Sequence, residues 1–358
     1  MKVINWVLSW AATLLVLSEG GGSRAQTPDQ SGSDATPDQG NKRLTGTVAG
    51  FGGVDGGGVN VGGTWFDTSG AAVWIDGAPG SQEQLQSGHV VTVDGNVDQA
   101  TGKGVANRIA YEPRIIGPVE SIDIENDRLK VLGQSISITP DTSFGRSHPS
   151  SFRTGDMVEV SGFVKSGGVI SATRIEGMAI GSTIQVSGIV TGSDEMLSRF
   201  VVGALPISFH AARLDGFPGR LVQDRDRVEV RCSLSGDACF DESGALVATS
   251  VAYEGVEAAD AVEMDGFVTR FESSVDFEIS NIPVKTVPDT LFDGDDEQRI
   301  RADTHATVKG AIEKDTGTLV ATSVDAQPIS RIEIEAPVVS VDTETGTLTL
   351  LGLMIQVN

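Results

Sequence analysis

The sequence predicts an all-β protein. It is expected to form tandem small OB-like five-stranded β-barrel repeats of about 70 residues, preceded by a signal peptide and a flexible linker. Three observations predict this. Glycine occupies 44 of 358 positions and aromatics only 5%, against a background rich in Val, Ile and Thr, which favours strands and turns over helices. Three short landmarks recur in the same order four times. Within each unit the elements read as three strands, a short polar helical turn and two more strands, the order of a small Greek-key barrel.

The first 25 residues read as a secretory signal peptide. Lys2 is a small positive n-region, and Val3 to Leu17 is a mostly apolar run. Ser23-Arg24-Ala25 places small residues before a cleavage point between Ala25 and Gln26. The apolar run of 15 residues falls short of the roughly 20 that a spanning helix needs. Leu17-Ser18-Glu19-Gly20 resembles a lipoprotein box, but Glu19 stands where a cysteine would be acylated. Residues 26–42 follow as a linker in which TPDQ occurs twice; with no large apolar side chain, it is expected to be disordered.

The first landmark is Leu44-Thr-Gly46, Ile116-Gly-Pro118, Val186-Ser-Gly188, Met264-Asp-Gly266 and, in a last copy, Glu335-Ala-Pro337. Its central positions, Gly46, Gly117, Gly188, Gly266 and Ala336, lie 71, 71, 78 and 70 residues apart. The second is Val90-Val-Thr-Val-Asp-Gly95, Met157-Val-Glu-Val-Ser-Gly162, Arg227-Val-Glu-Val-Arg-Cys232 and the stretch ending at Gly310. The third is Ala106-Asn-Arg-Ile109, Ala172-Thr-Arg-Ile175, Ala248-Thr-Ser-Val251 and Ala321-Thr-Ser-Val324. These bounds define repeat 1 (43–113), repeat 2 (114–180), repeat 3 (181–260), repeat 4 (261–330) and an incomplete repeat 5 (331–358), whose apolar arm suggests a truncated sequence. In repeat 1 the strands are expected at 44–51, 59–67, 71–76, 89–97 and 104–111, with a helical turn in 79–88. Alternation is clearest in repeat 2, at Leu129, Val131, Ile136, Ile138, Val158 and Val160.

Repeat 2 carries a family resemblance in Gly117-Pro-Val-Glu-Ser-Ile122, Leu129 to Ile138, Gly155-Asp-Met-Val-Glu-Val-Ser-Gly162 and Ala172-Thr-Arg-Ile-Glu176. These resemble the bacterial DUF5666 domain, and the likeness extends from about Leu44 onward. It implies exported proteins with tandem small β domains and implies no catalytic residues. Repeat 3 departs by replacing the landmark glycine with Cys232.

Few residues invite chemistry. Cys232 and Cys239 are the two cysteines, and in an exported chain they are expected to form a disulfide across a loop longer than its counterparts. His89, His148, His210 and His305 lack metal-ligand spacing; His89 and His305 read as surface or rim residues entering the fourth strand. Asp293 to Glu297 is acidic but lacks the spacing of a calcium loop, and reads as a solvated loop. The glycines of 52–58 have no following Lys-Ser/Thr and read as a turn. No catalytic set is legible, and no metal or cofactor is expected.

The formal net charge of -23 disfavours nucleic-acid backbones, which need clustered Lys and Arg. Removing 1–25 leaves 24 basic and 48 acidic residues. The expected function is a non-catalytic, exported bacterial repeat protein, secreted or periplasmic. It would act as a binding or spacer array with a cationic or protein partner in the envelope and no membrane span after cleavage. The alternative is an accessory array of a polysaccharide-acting enzyme, or a glycan binder, for which Trp65 and Trp74 are the available aromatics.

Overall fold

The computed structural model describes residues 41–327 except 53–56, 99, 124, 146–150, 180, 182, 218, 220, 234–238 and 295, together with backbone strands at 338–342, 347–350 and 353–356. The expected signal peptide and its cleavage point at Ala25 and Gln26 lie outside the described residues. So does the linker up to residue 40; its last two residues belong to the first strand.

Repeat 1 contributes β1 (Asn41–Gly52), β2 (Gly58–Val61), β3 (Thr64–Asp67), β4 (Ala72–Ile75), β5 (Ala78–Gly80), β6 (Val90–Val97) and β7 (Lys103–Tyr111). Repeat 2 contributes β8 (Ile115–Asp123), β9 (Arg128–Val131), β10 (Gln134–Ser137), β11 (Ser143–Phe144), β12 (Met157–Val164) and β13 (Ile170–Gly177). Repeat 3 contributes β14 (Ile184–Asp194), β15 (Arg199–Val202), β16 (Leu205–Ser208), β17 (Arg213–Asp215), β18 (Arg227–Cys232), β19 (Leu246–Val247) and β20 (Ser250–Tyr253). Repeat 4 contributes β21 (Ala259–Ser273), β22 (Asp276–Ile279), β23 (Ile282–Phe292), the single helical turn α1 (Asp296–Arg299), β24 (His305–Ile312) and β25 (Leu319–Ala326). β26 (Val338–Asp342), β27 (Thr347–Leu350) and β28 (Leu353–Gln356) form a separate three-stranded sheet.

The expected second strand, 59–67, is a hairpin of two. Gly62 and Gly63 both take positive φ (56° and 84°), as the two central residues of a type I′ hairpin turn do. Leu132-Gly133 and Ser280-Asn281 do the same in repeats 2 and 4. The polar stretch 79–88 holds a short 3-10 turn, Gln82–Gln84, with Leu85 buried beneath it.

The expectation of tandem, separately closed OB-like barrels is corrected. Hydrogen-bonded ladders run from one repeat into another: β1 lies parallel to β21, and β8 antiparallel to β14. The strands therefore pool into a 12-stranded sheet from repeats 1 and 4 and a 13-stranded sheet from repeats 2 and 3. Within the repeats, β3–β7, β4–β7, β10–β13, β11–β13, β16–β19, β17–β20 and β23–β25 pair in parallel. A parallel return requires the chain to wind round before it comes back in the same direction. The result is a β-solenoid of about 7 turns, about 60% strand. The cores follow the sheets only in part: repeats 2 and 3 share one continuous apolar cluster, while repeats 1 and 4, though joined in one sheet, each keep their own.

The landmark glycines now have a physical cause. A Cβ on Gly117 would lie 2.5 Å from Leu132, on Gly188 2.6 Å from Val202, and on Gly266 2.3 Å from the Ser280 hydroxyl. Each of these neighbours belongs to or abuts the tight hairpin turn, so the first landmark clears room for that turn. Gly95, Gly162 and Gly310 sit where β6–β7, β12–β13 and β24–β25 shift register. There a Cβ would stand 2.0–2.3 Å from a partner-strand carbonyl oxygen. In repeat 3, β18 pairs with β20 without such a shift, and Cys232 is accommodated at the corresponding position.

Gly162→Ala should therefore lower stability by about 1–3 kcal/mol, the usual cost of overpacking against backbone. Gly50→Ala, whose Cβ would meet nothing within 4 Å, should be close to neutral. Urea-unfolding midpoints of the two variants check the contrast.

Candidate functional site

The four repeats enclose a cleft of about 700 Å³ to which each contributes wall residues. β1 and β6 present Thr45 and Thr92, whose hydroxyls are 3.3 Å apart. β12 presents Ser161 and Phe163; β14 and β18 present Ser187 and Glu229; β21 presents Asp265. Thr45 pairs with Thr92, Ser187 with Glu229 and Asp265 with Thr307 across the ladder between the first strand of a repeat and its second-landmark strand. The same outward face of each repeat is thus turned inward to its neighbours.

The wall is densely charged for a chain with only 26 basic residues. Arg43, Arg108, Arg114 and Arg227 meet Asp94, Glu112, Glu229, Glu254, Glu257 and Asp265 there. Arg43 donates to Asp94 at 2.7 Å and approaches Glu257 at 2.9 Å; the Asp94 hydrogen bond raises its pKa. Arg227 lies 3.7 Å from Glu254. Arg231 bridges Asp76 of repeat 1 and Glu229 of its own repeat, both at 2.6 Å, and so ties the wall together.

A second cavity of about 510 Å³ shares Phe163 and Asp265 with the cleft. The Lys165 ammonium lies 4.6 Å from the Phe267 ring centroid, and His305 meets Phe267 edge-on while its Nε2 lies 3.4 Å from Asp265.

His89 is a correction to the expected rim position. It is 3% exposed and stacks on Tyr111 with ring centroids 3.7 Å apart. Its Nδ1 accepts the Gln86 N–H at 3.2 Å, which leaves the proton on Nε2. That nitrogen is buried without a hydrogen bond, 3.8 Å from Glu159. Tyr111 donates to the same carboxylate at 2.5 Å, and Arg174 reaches from β13 to the carbonyl of Ser87 at 3.1 Å. These contacts seal repeat 1 against repeat 2. Burial, with the nearby Arg174 charge, pulls the His89 pKa down to about 4. Burial raises the pKa of Glu159.

The other singled-out residues disperse. Cys232 and Cys239 are joined in a disulfide with Cα atoms 5.9 Å apart, and both are buried. His210 lies 3.0 Å from the Ser208 hydroxyl, and His148 is outside the described residues. The acidic run is not wholly solvated: Asp296 is 3% exposed, opens α1, and accepts from Ala326 N–H and Arg299. Asp295 and the glycine turn at 53–56 lie outside the described residues. Trp65 is 43% exposed, while Trp74 lies under Arg108 at 5.8 Å. Among the described residues no group of three or more His, Cys, Asp or Glu is placed to hold a metal, and no helix is long and apolar enough to cross a membrane. Sequence reading missed the cleft arginines, because nothing local marks Arg114 and Arg227 as neighbours.

Fold and site define an all-β repeat protein whose repeats share one central cleft. The chain belongs to the DUF5666 family: the model described as "Domain of unknown function (DUF5666)" matches residues 45–110, 116–176 and 265–325. Repeat 3 lies outside those matches. No curated protein matches the chain. Among solved structures, a multidomain protein with nucleic acid binding domains from Streptococcus pneumoniae is 14% identical, with 62% of this chain and 75% of that one covered and a TM-score of 0.16.

The buried His89 gives a pH prediction. Its folded pKa is depressed below the unfolded value of about 6.5, so the unfolded chain binds the proton more readily between about 6.5 and 4. Stability from this site is present above pH 6.5 and is lost as the pH falls towards 4, by on the order of 3 kcal/mol. Glu159, with its raised pKa, opposes this, since its protonation on acidification favours the folded state. Urea midpoints measured from pH 7 to 4 should fall more steeply for the native chain than for His89→Gln.

Proposed function

We propose that the protein is an exported, non-catalytic binding protein of the bacterial envelope whose four repeats act together to hold a ligand in their shared cleft. The observation that carries this reading is that all four repeats line the cleft. A spacer array needs contacts between successive repeats only, whereas here repeat 1 pairs with repeat 4. The volume falls within the range of small-molecule sites. Export rests on the leader 1–25 and linker 26–42, and the envelope space outside the cytoplasm is the proposed compartment. The disulfide between Cys232 and Cys239 suits that oxidising compartment. The strongly acidic surface favours cationic or protein partners over nucleic acid.

A second reading is glycan binding on the outer face of repeat 1. Trp65 stands exposed there, beside Asn60 and Lys103 in the register of β2 and β7.

Native mass spectrometry of the purified protein after incubation with the small-molecule fraction of a bacterial envelope extract separates these readings. The native chain should retain a small ligand, and Thr92→Trp, which fills the cleft, should release it while the melting temperature holds. Loss with Trp65→Ala in place of Thr92→Trp would transfer the site to the outer face. Retention of nothing by the native chain would overturn both.

A further inference from the structure

The cleft wall contains a guanidinium and a carboxylate two residues apart that the protein leaves uncommitted. Arg114 and Glu112 flank Pro113 on the connection between β7 and β8, and all three line the cleft. Among the described residues neither side chain has a hydrogen bond or an ion pair, while Arg43, Arg227, Glu229, Glu254 and Glu257 all do. Their surroundings sharpen the point. Arg114 faces another cation: its charge lowers the pKa of Arg227, on top of the larger effect of burial. Glu112, an exposed residue, stands among mixed charge: desolvation first, then Glu229 and Glu254, raise its pKa, and Arg231 lowers it. The Ser280 hydroxyl, which also lines the cleft, is buried without a partner.

Arg227 and Glu254 already answer each other, which leaves Arg114 and Glu112 as wall charges open to a ligand. They are two residues apart, and two chain residues span at most about 7 Å between Cα atoms. A carboxylate at Arg114 and an ammonium at Glu112 would satisfy both charges at once. A polyanion would meet the six wall carboxylates, and a polycation the four arginines. We propose that the cleft takes a zwitterionic ligand of amino-acid or short-peptide size, its carboxylate held by Arg114 and its ammonium by Glu112. This rests on the reading of the cleft as the ligand site and names the ligand's class.

The test uses trialanine, its C-terminal amide and its N-acetyl derivative as probes of the full chain, by titration calorimetry. Trialanine should bind at least about 10-fold more tightly than either capped form, the usual worth of a charge-assisted hydrogen bond. Arg114→Gln should weaken trialanine about 10-fold and leave the amide's affinity unchanged. Glu112→Gln should weaken trialanine while leaving the acetylated form unchanged. Both are surface-lining substitutions, and unchanged melting temperatures would establish that the variants are folded. Equal affinity for trialanine and its capped forms overturns the proposal. So does an absence of binding by trialanine and alanine up to roughly 10 mM. The retention of an envelope ligand by the native chain but not Thr92→Trp is read independently, so failure of the zwitterion leaves the cleft reading standing or falling on its own result.

Discussion

A strand edge that is neither hydrogen-bonded nor solvated is costly, and an exposed one invites foreign strands. The first strand of each repeat carries this problem. In β1, residues 41–47 pair with β6 along one edge, but on the other edge β2 covers only the stretch from Val48 to Gly52. The first half of that second edge is left open, and β21 occupies it at Arg43, Leu44 and Thr45. β8 has the same construction: β9 covers its later half, β12 its other edge, and β14 takes what remains at Ile115 and Ile116. Two cross-repeat ladders thus join the four first strands in two pairs, one in each sheet, and residues of all four repeats line the cleft.

The junctions then add side-chain detail that the ladders make necessary. Repeat 1 meets repeat 2 through His89, Tyr111, Glu159 and Arg174, and the Val90 N–H donates to the Ser161 hydroxyl at 2.8 Å. Repeat 2 meets repeat 3 through Gln134, whose amide donates to the Val202 carbonyl at 2.7 Å. Repeat 3 meets repeat 4 through Arg225 and Glu278 at 2.9 Å. Lys42, near the start of β1, reaches Glu263 of repeat 4. Most of these are polar contacts at partly buried positions, consistent with surfaces that each repeat would otherwise present to water.

What could be read from the sequence follows from what is local. The landmark glycines mark a hairpin turn beside Leu132 or Ser280 and a bulge beside a partner carbonyl, both features built within one repeat. The alternation at Leu129, Val131, Val158 and Val160 reports burial on one face, and all four are buried. The cross-repeat ladders are different. A pairing such as Arg43 with Val262 leaves no trace in the local pattern, because the same residues would alternate identically in an isolated unit. The barrel expectation therefore failed at the first strands, and with it the placement of His89, whose burial depends on Arg174 and Glu159 from another repeat. The cleft was illegible for the same reason: outward-facing polar residues are ordinary on a lone repeat and become a site only when four such faces converge.

Repeat 3 shows how the shared frame is specialised. Its second-landmark strand begins with Arg227 where repeats 1 and 2 have Val90 and Met157. An arginine could not replace Met157, which is 9% exposed, unless its head found a polar opening, and in repeat 3 the cleft supplies one. The same repeat contributes Glu229 and Glu254 to the wall, drops the bulge glycine for Cys232, and lies outside the stretches the family model matches. The disulfide joins Cys232, the last residue of β18, to Cys239, so Arg227 and Glu229 sit on a strand whose far end is covalently held. Repeat 3 thus supplies Arg227, Glu229, Glu254 and Glu257 to the wall, opposite Arg43, Asp94, Arg108 and Glu112 of repeat 1. A repeat fold can carry such changes on an outward face because the ladders and the apolar core that hold the frame together do not depend on them.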